Sequence, residues 1–169
     1  MQTLVVRDEG QTISISFDDL LKYHGRSSIG GLAHAFKAME RGFPLLSPGL
    51  PPERYDITVE SGFPGEGARD AFEMVTRAAT GGRYLLTVEP RPGMPEAPGG
   101  HFFFRLRYRG TVVELTLRDG LVPEEFLDVA CKEGPTPAEA DRAQQLKEAM
   151  AERLLSMPPD EVYDATTVG

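Results

Sequence analysis

Cysteine and histidine are scarce in this sequence. Cys131 is the one cysteine among 169 residues, and the histidines are His24, His34 and His101. One cysteine excludes an intramolecular disulfide framework and a zinc site made only of cysteines from one chain. A metal site would therefore need carboxylates or a second subunit. We expect no bound cofactor, and zinc or another transition metal, if present, would have to use His24.

The sequence also lacks long apolar runs and an excess of positive charge. No run approaches the roughly 20 apolar residues that cross a bilayer, and the N-terminal residues do not have the pattern of a secretory signal. The 18 lysines and arginines are outnumbered by 26 acidic residues, which gives a net charge of -8. Nucleic acids and anionic membranes attract positive surfaces, so we expect neither as a partner. The expected location is cytoplasmic.

Apolar residues make up 40% of the chain, enough for a hydrophobic core. Their periodicity predicts an α+β fold, in which helices pack on a mixed or antiparallel sheet. Residues 1–16 are expected to form an N-terminal hairpin. Further strands are predicted at 55–60, 83–89 and 162–165, and a second hairpin at 101–118.

Four helices are predicted from apolar residues spaced three and four apart. The first predicted helix begins at residue 16, and the other three extend over 28–41, 68–79 and 136–157. Ser16 and Asp19 form a capping box for the first helix, and Ser27 or Ser28 can cap the second. The second helix has apolar residues on two faces, which indicates a central position. The last is the long C-terminal helix, with a second capping box at its start.

One segment joins the first two predicted helices. Residues 23–33 are Tyr-His-Gly-Arg-Ser-Ser-Ile-Gly-Gly-Leu-Ala. This segment resembles the signature of the FmdE (formylmethanofuran dehydrogenase) family, in which an aromatic residue precedes His-Gly-His-x-Cys-Pro-Gly and a helix. Residues 59–60 and 70–73 resemble a later strand and helix start of that family, and 133–139 and 158–163 resemble its C-terminal end. The resemblance implies one FmdE-like domain over residues 1–169.

The chain departs from that family pattern at the positions that would bind metal. Arg26 stands where the family has its second histidine, Ser28 replaces the cysteine and Ile29 the proline. The loop over 60–70 contains no cysteine, and the chain has no Cys-rich zinc ribbon. The family pattern implies a metal or thiol-dependent site, so we expect a divergent member with a degenerate site around His24.

The candidate site consists of two loops that precede helices. The resemblance implies that the loop after His24 faces the loop Ser61–Gly67, with a cleft between them. Free N–H groups at helix starts favour anions there. The candidate ligand-binding residues are Arg26, Ser27, Ser28, Gly30, Gly62, Gly65 and Arg69. The alternative interpretation is that the serines are helix caps and the glycines form structural turns.

Three functions remain open. The first is an accessory or ligand-binding protein, expected to be a homodimer, whose cleft binds a small anion without a tightly held metal. The second is an enzyme in which His24 and Glu60 act as acid and base on a small carboxylate or phosphate, with Arg26 or Arg69 neutralising the substrate. The third is a component of a redox complex of the formylmethanofuran dehydrogenase type, implied by the resemblance alone.

Three further features have structural interpretations. The Pro/Gly-rich segment 90–100 has the length of a lid or a mobile crossing. Arg105, Arg107 and Arg109 share one face of the second hairpin, which predicts a solvated or dimer-facing surface. Cys131 ends a short apolar stretch and is expected to be buried.

Overall fold

The computed structural model describes residues 2–168, so that Met1 and Gly169, the ends of the predicted domain, lie outside the described range. The fold is α+β, as predicted. The helices are α1 (Phe17–His24), α2 (Ile29–Leu46), α3 (Glu66–Thr76), α4 (Glu124–Ala130), α5 (Pro137–Leu155) and α6 (Pro159–Val162). The strands are β1 (Thr3–Asp8), β2 (Gln11–Ser16), β3 (Ile57–Ser61), β4 (Tyr84–Leu86), β5 (Glu96–Ala97), β6 (Gly100–His101), β7 (Phe103–Tyr108), β8 (Thr111–Leu117) and β9 (Tyr163–Val168).

The N-terminal hairpin pairs β1 with β2 in antiparallel register, with Leu4 opposite Ile15. Its turn contains Glu9 and Gly10, both with positive φ (50° and 85°), as a two-residue hairpin turn requires. The chain then enters α1 directly, because Ser16 is both the last residue of β2 and the N-cap of the helix. The predicted hairpin and capping box are confirmed.

A five-stranded sheet lies behind the helices, with the strand order β4-β3-β7-β8-β9. β3 and β4 are parallel, and the other neighbours are antiparallel. Alternation places Val59, Leu106 and Val113 on the buried face. The opposite face, which we call the outer sheet face, carries Thr58, Glu60, Arg105, Arg107 and Glu114.

The second helix, α2, is the central one, as predicted. It packs on α3, α5 and the sheet, and a Cβ atom at Gly42 would lie 3.0 Å from a methyl group of Leu106. α2 ends at Leu46 rather than near Arg41. Pro44 lies in the last turn, where it removes one backbone hydrogen bond but does not end the helix before Leu46.

The C-terminal third contains the long helix α5, which begins with the predicted capping box between Thr136 and Glu139. α4, a seven-residue helix that buries Phe126, is not among the helices predicted from the sequence. Cys131 caps the C-terminus of α4 and is exposed, contrary to the prediction. Among residues 2–168, every helix is too short or too polar to cross a bilayer.

Two arginines hold the C-terminal end of α3. Arg54 donates to the carbonyl oxygens of Met74 and Val75, at 2.5 and 3.1 Å. Arg83 donates to those of Thr76 and Arg77, at 3.1 and 3.0 Å. Cationic groups at a helix C-terminus satisfy its free carbonyls and oppose its negative dipole end. Within residues 2–168, no side chain caps the N-terminal end of α3.

Candidate functional site

A cavity of about 210 Å³ lies where α2 and α3 begin, and we call it the interhelical cavity. α4, α5 and the segment before β6 close its other sides. Most of the lining is apolar, and the polar exceptions are backbone, Ser28 and Lys147. Its lining comprises Ser28, Gly30, Gly31, Phe63, Pro64, Gly65, Gly67, Pro98, Phe102, Phe126, Ala130, Lys147 and Met150. The loops after His24 and after Ser61 therefore share one cavity.

Glycines allow the two helix starts to meet. A Cβ atom at Gly67 would lie 2.5 Å from the carbonyl oxygen of Ser28 and 2.6 Å from its Cβ. One at Gly31 would lie 3.2 Å from the amide nitrogen of Ala68. Backbone atoms cannot move aside as a flexible side chain can, so a larger residue at position 67 would separate α2 from α3.

Neither helix start has a side-chain cap. Ser28 is the N-cap of α2, and its hydroxyl accepts no hydrogen bond from the first turn. The N-cap of α3 is Gly65, which has no side chain. Within residues 2–168, five N–H groups of these first turns have no hydrogen-bond acceptor. They belong to Gly30, Gly31, Glu66, Gly67 and Ala68. Two positive helix ends therefore converge on one cavity.

Side chains of α5 fix the loop that precedes α2. Gln144 donates from its amide to the carbonyl oxygen of Arg26 at 3.0 Å, and the Lys147 Nζ donates to that of Ser27 at 3.2 Å. Lys147 also lines the interhelical cavity and is the one cationic side chain among the lining residues. Lys147 is not among the predicted site residues, because only the packing of α5 against the start of α2 brings it there.

His24 is the last residue of α1, and its imidazole is held by a carboxylate. Its Nδ1 lies 2.6 Å from Oδ2 of Asp70 on α3. The side chain of His24 is 9% exposed and that of Asp70 27%. Asp70 is one helical turn beyond Gly67, which lines the cavity. Asp70 belongs to a motif that carries the family resemblance, but 46 residues separate it from His24, and the sequence does not indicate the pairing.

Glu60 does not accompany His24, which corrects the predicted acid and base pair. Its neighbours in β3, Val59 and Ser61, are buried, so alternation turns Glu60 to the outer sheet face. There its carboxylate pairs with Arg105, which also binds Glu114. The physical reason is that α2 and α3 cover the other face of the sheet.

Three other predicted ligand-binding residues lie outside the lining of the interhelical cavity. Gly62 uses both backbone groups on its neighbours: it donates to Phe103 and accepts from His101, at 2.8 and 3.0 Å. Arg26 is exposed and lies 3.6 Å from Glu148. Arg69 is also exposed and lies 3.7 Å from Asp70. Of the predicted residues, Ser28, Gly30 and Gly65 line the cavity, and Ser27 adjoins it through Lys147.

The segment over 90–100, expected to form a lid or crossing, contains the short strand β5 and the first residue of its antiparallel partner β6. Pro98 lies between them and contributes to the cavity lining. The segment is anchored by Arg91, whose amide donates to Nε2 of His101 at 3.0 Å and whose guanidinium lies 4.3 Å from the ring centre of Phe103.

His34, a histidine on α2 with no predicted role, is fully buried. Its ring stacks on Phe102, with ring centres 3.8 Å apart and planes 12° from parallel. Nδ1 lies 2.8 Å from the hydroxyl of Tyr163, and Nε2 lies 3.4 Å from Sδ of Met150. Burial lowers the pKa of His34 to about 3, so the ring is neutral at pH 7.

A second hollow of about 370 Å³ lies between β1 and the segment 43–52. Its lining includes the acidic Glu40 and no lysine or arginine. None of the predicted site residues lines it. Volume alone therefore does not identify the site, and the interhelical cavity is the one that the two predicted loops share.

The residues around His24 do not fit the thiophilic metal that the FmdE pattern implies. Asp70 is the one donor paired with His24, and the positions of the other expected ligands hold Arg26 and Ser28. In the described part of the chain, no three histidine, cysteine or acidic side chains are grouped so as to hold an ion. We derive no chemistry through a metal.

No protein-family model matches this chain, and no curated protein matches it either. The resemblance to the FmdE family therefore stays a prediction from the residues of the motif.

Proposed function

We propose that this chain binds a small carboxylate with an apolar body in the interhelical cavity, as a divergent FmdE-like protein without the metal of that family. The observation that carries the proposal is the convergence of two uncapped helix N-termini and Lys147 on one cavity whose remaining lining is apolar. Free N–H groups and the positive helix ends favour an anion, even in a chain whose net charge is negative.

The cavity also limits the size and polarity of the ligand. Pockets for drug-sized molecules measure roughly 300 to 1,000 Å³, and this one measures about 210 Å³. Its walls of Phe63, Phe102, Phe126 and Met150 suit hydrocarbon rather than a sugar or a second charge. The polar and the apolar parts of the lining are both matched by a ligand that places its carboxylate at the helix N-termini and has a short apolar tail.

A titration with butanoate and its neutral counterpart butanamide tests this function. We expect the purified chain to bind butanoate at least about tenfold more tightly than butanamide, because charged hydrogen bonds are the stronger ones. Lys147→Met should weaken butanoate binding about tenfold, and Lys22→Met, the same charge change on the exposed side of α1, should leave it unchanged. Equal affinity for the two probes, or equal effects of the two variants, would contradict the proposal.

A second candidate is acid and base chemistry at His24, favoured by its 2.6 Å contact with Asp70. A carboxylate on Nδ1 fixes the imidazole and leaves Nε2 as the basic nitrogen. The expected activity is removal of a proton beside the carbonyl group of a small 2-oxo acid. With 2-oxobutanoate in D₂O, deuterium should enter C3 faster than in buffer, and His24→Gln should abolish the gain. A wild-type rate equal to that of buffer would exclude this chemistry.

We also propose a homodimer in the cytoplasm. The edge strand β4 supports the dimer, because Leu85 and Leu86 are each about half exposed and Val88 follows them. Apolar side chains on a free strand edge are a common pairing surface. Sedimentation velocity should give twice the mass of the chain for the wild-type protein, and the Leu85→Lys variant should sediment as a monomer. A monomeric wild-type chain would contradict this proposal.

A further inference from the structure

His34 lies directly below the interhelical cavity. It follows Gly30 and Gly31 by four and three residues on α2, so it occupies the same helix face one turn deeper. Two of its contacts, Phe102 and Met150, are themselves part of the cavity lining. A fully buried polar side chain therefore sits behind the cavity wall.

The hydrogen-bond partners of His34 indicate which ring nitrogen carries the proton. Among the described residues, Nδ1 of His34 is the one acceptor within hydrogen-bond distance of the Tyr163 hydroxyl, so we assign the hydroxyl as donor and Nδ1 as acceptor. The neutral ring then carries its hydrogen on Nε2. That N–H points at the sulfur of Met150, and a thioether is a weak acceptor.

Met150 separates this N–H group from the cavity. Its terminal methyl carbon lies 2.8 Å from the position of a Cβ atom at Gly30, which shows that it covers the floor at the start of α2. Methionine has an unbranched, flexible side chain that moves at low energetic cost. If Met150 moved away, a ligand atom could replace its sulfur as the acceptor for the His34 Nε2–H group.

We propose that the Nε2–H group of His34 is the specificity-determining donor of the interhelical cavity, and that Met150 moves aside to let a ligand oxygen reach it. This inference rests on the proposed function. The ligand is then a small carboxylic acid with a carbonyl oxygen in its tail. The second group is a neutral carbonyl, because the two contacts of His34 that line the cavity, Phe102 and Met150, are apolar and cannot balance a second charge.

The geometry of α2 sets the spacing between the two polar groups of the ligand. A helix rises about 1.5 Å per residue, so His34 follows the N–H groups of Gly30 and Gly31 by about 5 to 6 Å along the axis. 4-Oxopentanoate has its carbonyl oxygen at a comparable distance from its carboxylate. In 4-methylpentanoate a methyl group replaces that oxygen at nearly the same volume, which makes the two acids a matched pair.

The experiment measures the affinities of the two acids by titration and the resonance of the His34 Nε2–H group by NMR. We expect the wild-type chain to bind 4-oxopentanoate about tenfold more tightly, the preference that one well-formed hydrogen bond provides. We expect the Nε2–H resonance to shift with 4-oxopentanoate more than with 4-methylpentanoate. In the double variant His34→Phe/Tyr163→Phe, both polar partners become apolar, and the preference should disappear while both acids still bind.

The outcomes separate this inference from the function on which it rests. If both acids bind equally and the Nε2–H resonance does not distinguish them, His34 is no donor to the ligand, and the inference fails while carboxylate binding stands. A preference that persists in the double variant also overturns the inference. If neither acid binds the wild-type chain, the proposed function and the inference fail together. The resonance is measured on the wild-type chain, so the test does not depend on the folding of a variant.

Discussion

The helices of this protein begin in two different ways. α1 and α5 start with complete capping boxes, in which Ser16 and Asp19, or Thr136 and Glu139, satisfy each other's backbone groups. α2 and α3 start without a side-chain cap, although Ser28 stands at the N-cap of α2. The capped starts stabilise the fold locally, and the uncapped starts of α2 and α3 meet at the interhelical cavity. The short helices α4 and α6, which follow Pro123 and Pro158, also lack a side-chain cap. In the proposed function, the ligand accepts hydrogen bonds from the free N–H groups of α2 and α3.

The largest expected effect is at the contact between the two uncapped starts. Gly67→Ala would place a Cβ atom 2.5 Å from the Ser28 carbonyl oxygen, and we expect a loss of about 3 kcal/mol in the free energy of unfolding. Gly30→Ala is the matched control, since its close contact, at 2.8 Å, is with the mobile end of Met150, and Lys147 lies at an ordinary 3.8 Å. Urea denaturation of both variants measures the difference. Equal losses would show that α2 and α3 do not meet as closely as described.

The buried His34 and the two capping boxes should make the free energy of unfolding depend on pH in different ranges. His34 stays neutral down to about pH 3 in the folded chain, whereas a histidine in the unfolded chain takes up a proton near pH 6.5. The unfolded state therefore binds more protons, and stability falls by about 1.4 kcal/mol per pH unit below pH 6.5. Urea denaturation between pH 7 and 4.5 measures the slope.

The capping boxes respond at lower pH. The Ser16 backbone N–H holds the pKa of Asp19 below its ordinary value, and a hydrogen bond from Lys132 lowers that of Glu139 to about 2. These carboxylates contribute their full stabilisation above pH 4.5 and lose it as the pH falls toward 2.

The double variant His34→Phe/Tyr163→Phe removes the buried histidine and leaves the capping boxes intact. Its free energy of unfolding should therefore fall less steeply with pH between pH 6.5 and 4.5. An unchanged slope would mean that His34 takes up its proton in the folded chain.

A third comparison is between Arg54, which binds the C-terminal end of α3, and Arg107, which lies on the outer sheet face. Arg54→Met leaves the carbonyl oxygens of Met74 and Val75 without a donor, and we expect a loss of about 2 kcal/mol. The control is Arg107→Met, on the exposed part of the outer sheet face, where a change within about 0.5 kcal/mol is expected. Thermal and urea unfolding of both variants provide the measurement. Similar values for the two would show that the C-terminal end of α3 needs no cap.

The smallest expected effects concern the N-caps themselves. Ser16→Ala and Thr136→Ala should each lower the free energy of unfolding by about 1 kcal/mol, the usual contribution of a side-chain cap. Ser28→Ala should change it by less than about 0.3 kcal/mol, because the Ser28 hydroxyl caps nothing. A loss at Ser28 as large as that at Ser16 would remove the distinction between the two kinds of helix start.

The features that the sequence predicted well are local. The hairpin turn, both capping boxes and the central position of α2 depend on residues within a few positions of one another, and all are present. The partner of His24 was not predictable in this way. Because side chains alternate along β3, the sequence places Glu60 and Val59 on opposite faces of the sheet. Only the tertiary structure shows which of these faces the helices cover.

The cavity lining was partly predictable for the same reason. The motif residues Ser28, Gly30 and Gly65 contribute to it, since helix starts and glycine loops can be recognised in a sequence. Lys147, Phe126 and Met150 come from α4 and α5, more than 90 residues further along the chain than Ser28. Their place depends on how those helices pack over the start of α2.

The most direct test of the anion site is a map of backbone amide shifts while butanoate is added to the ¹⁵N-labelled chain, with butanamide as the reference. If the uncapped helix starts bind the carboxylate, the shifts specific to butanoate belong to Gly30, Gly31, Gly67 and Ala68, and the amides at the capped starts of α1 and α5 stay unchanged. Shifts spread evenly over the surface, or the same shifts with butanamide, would contradict an anion site at these helix starts.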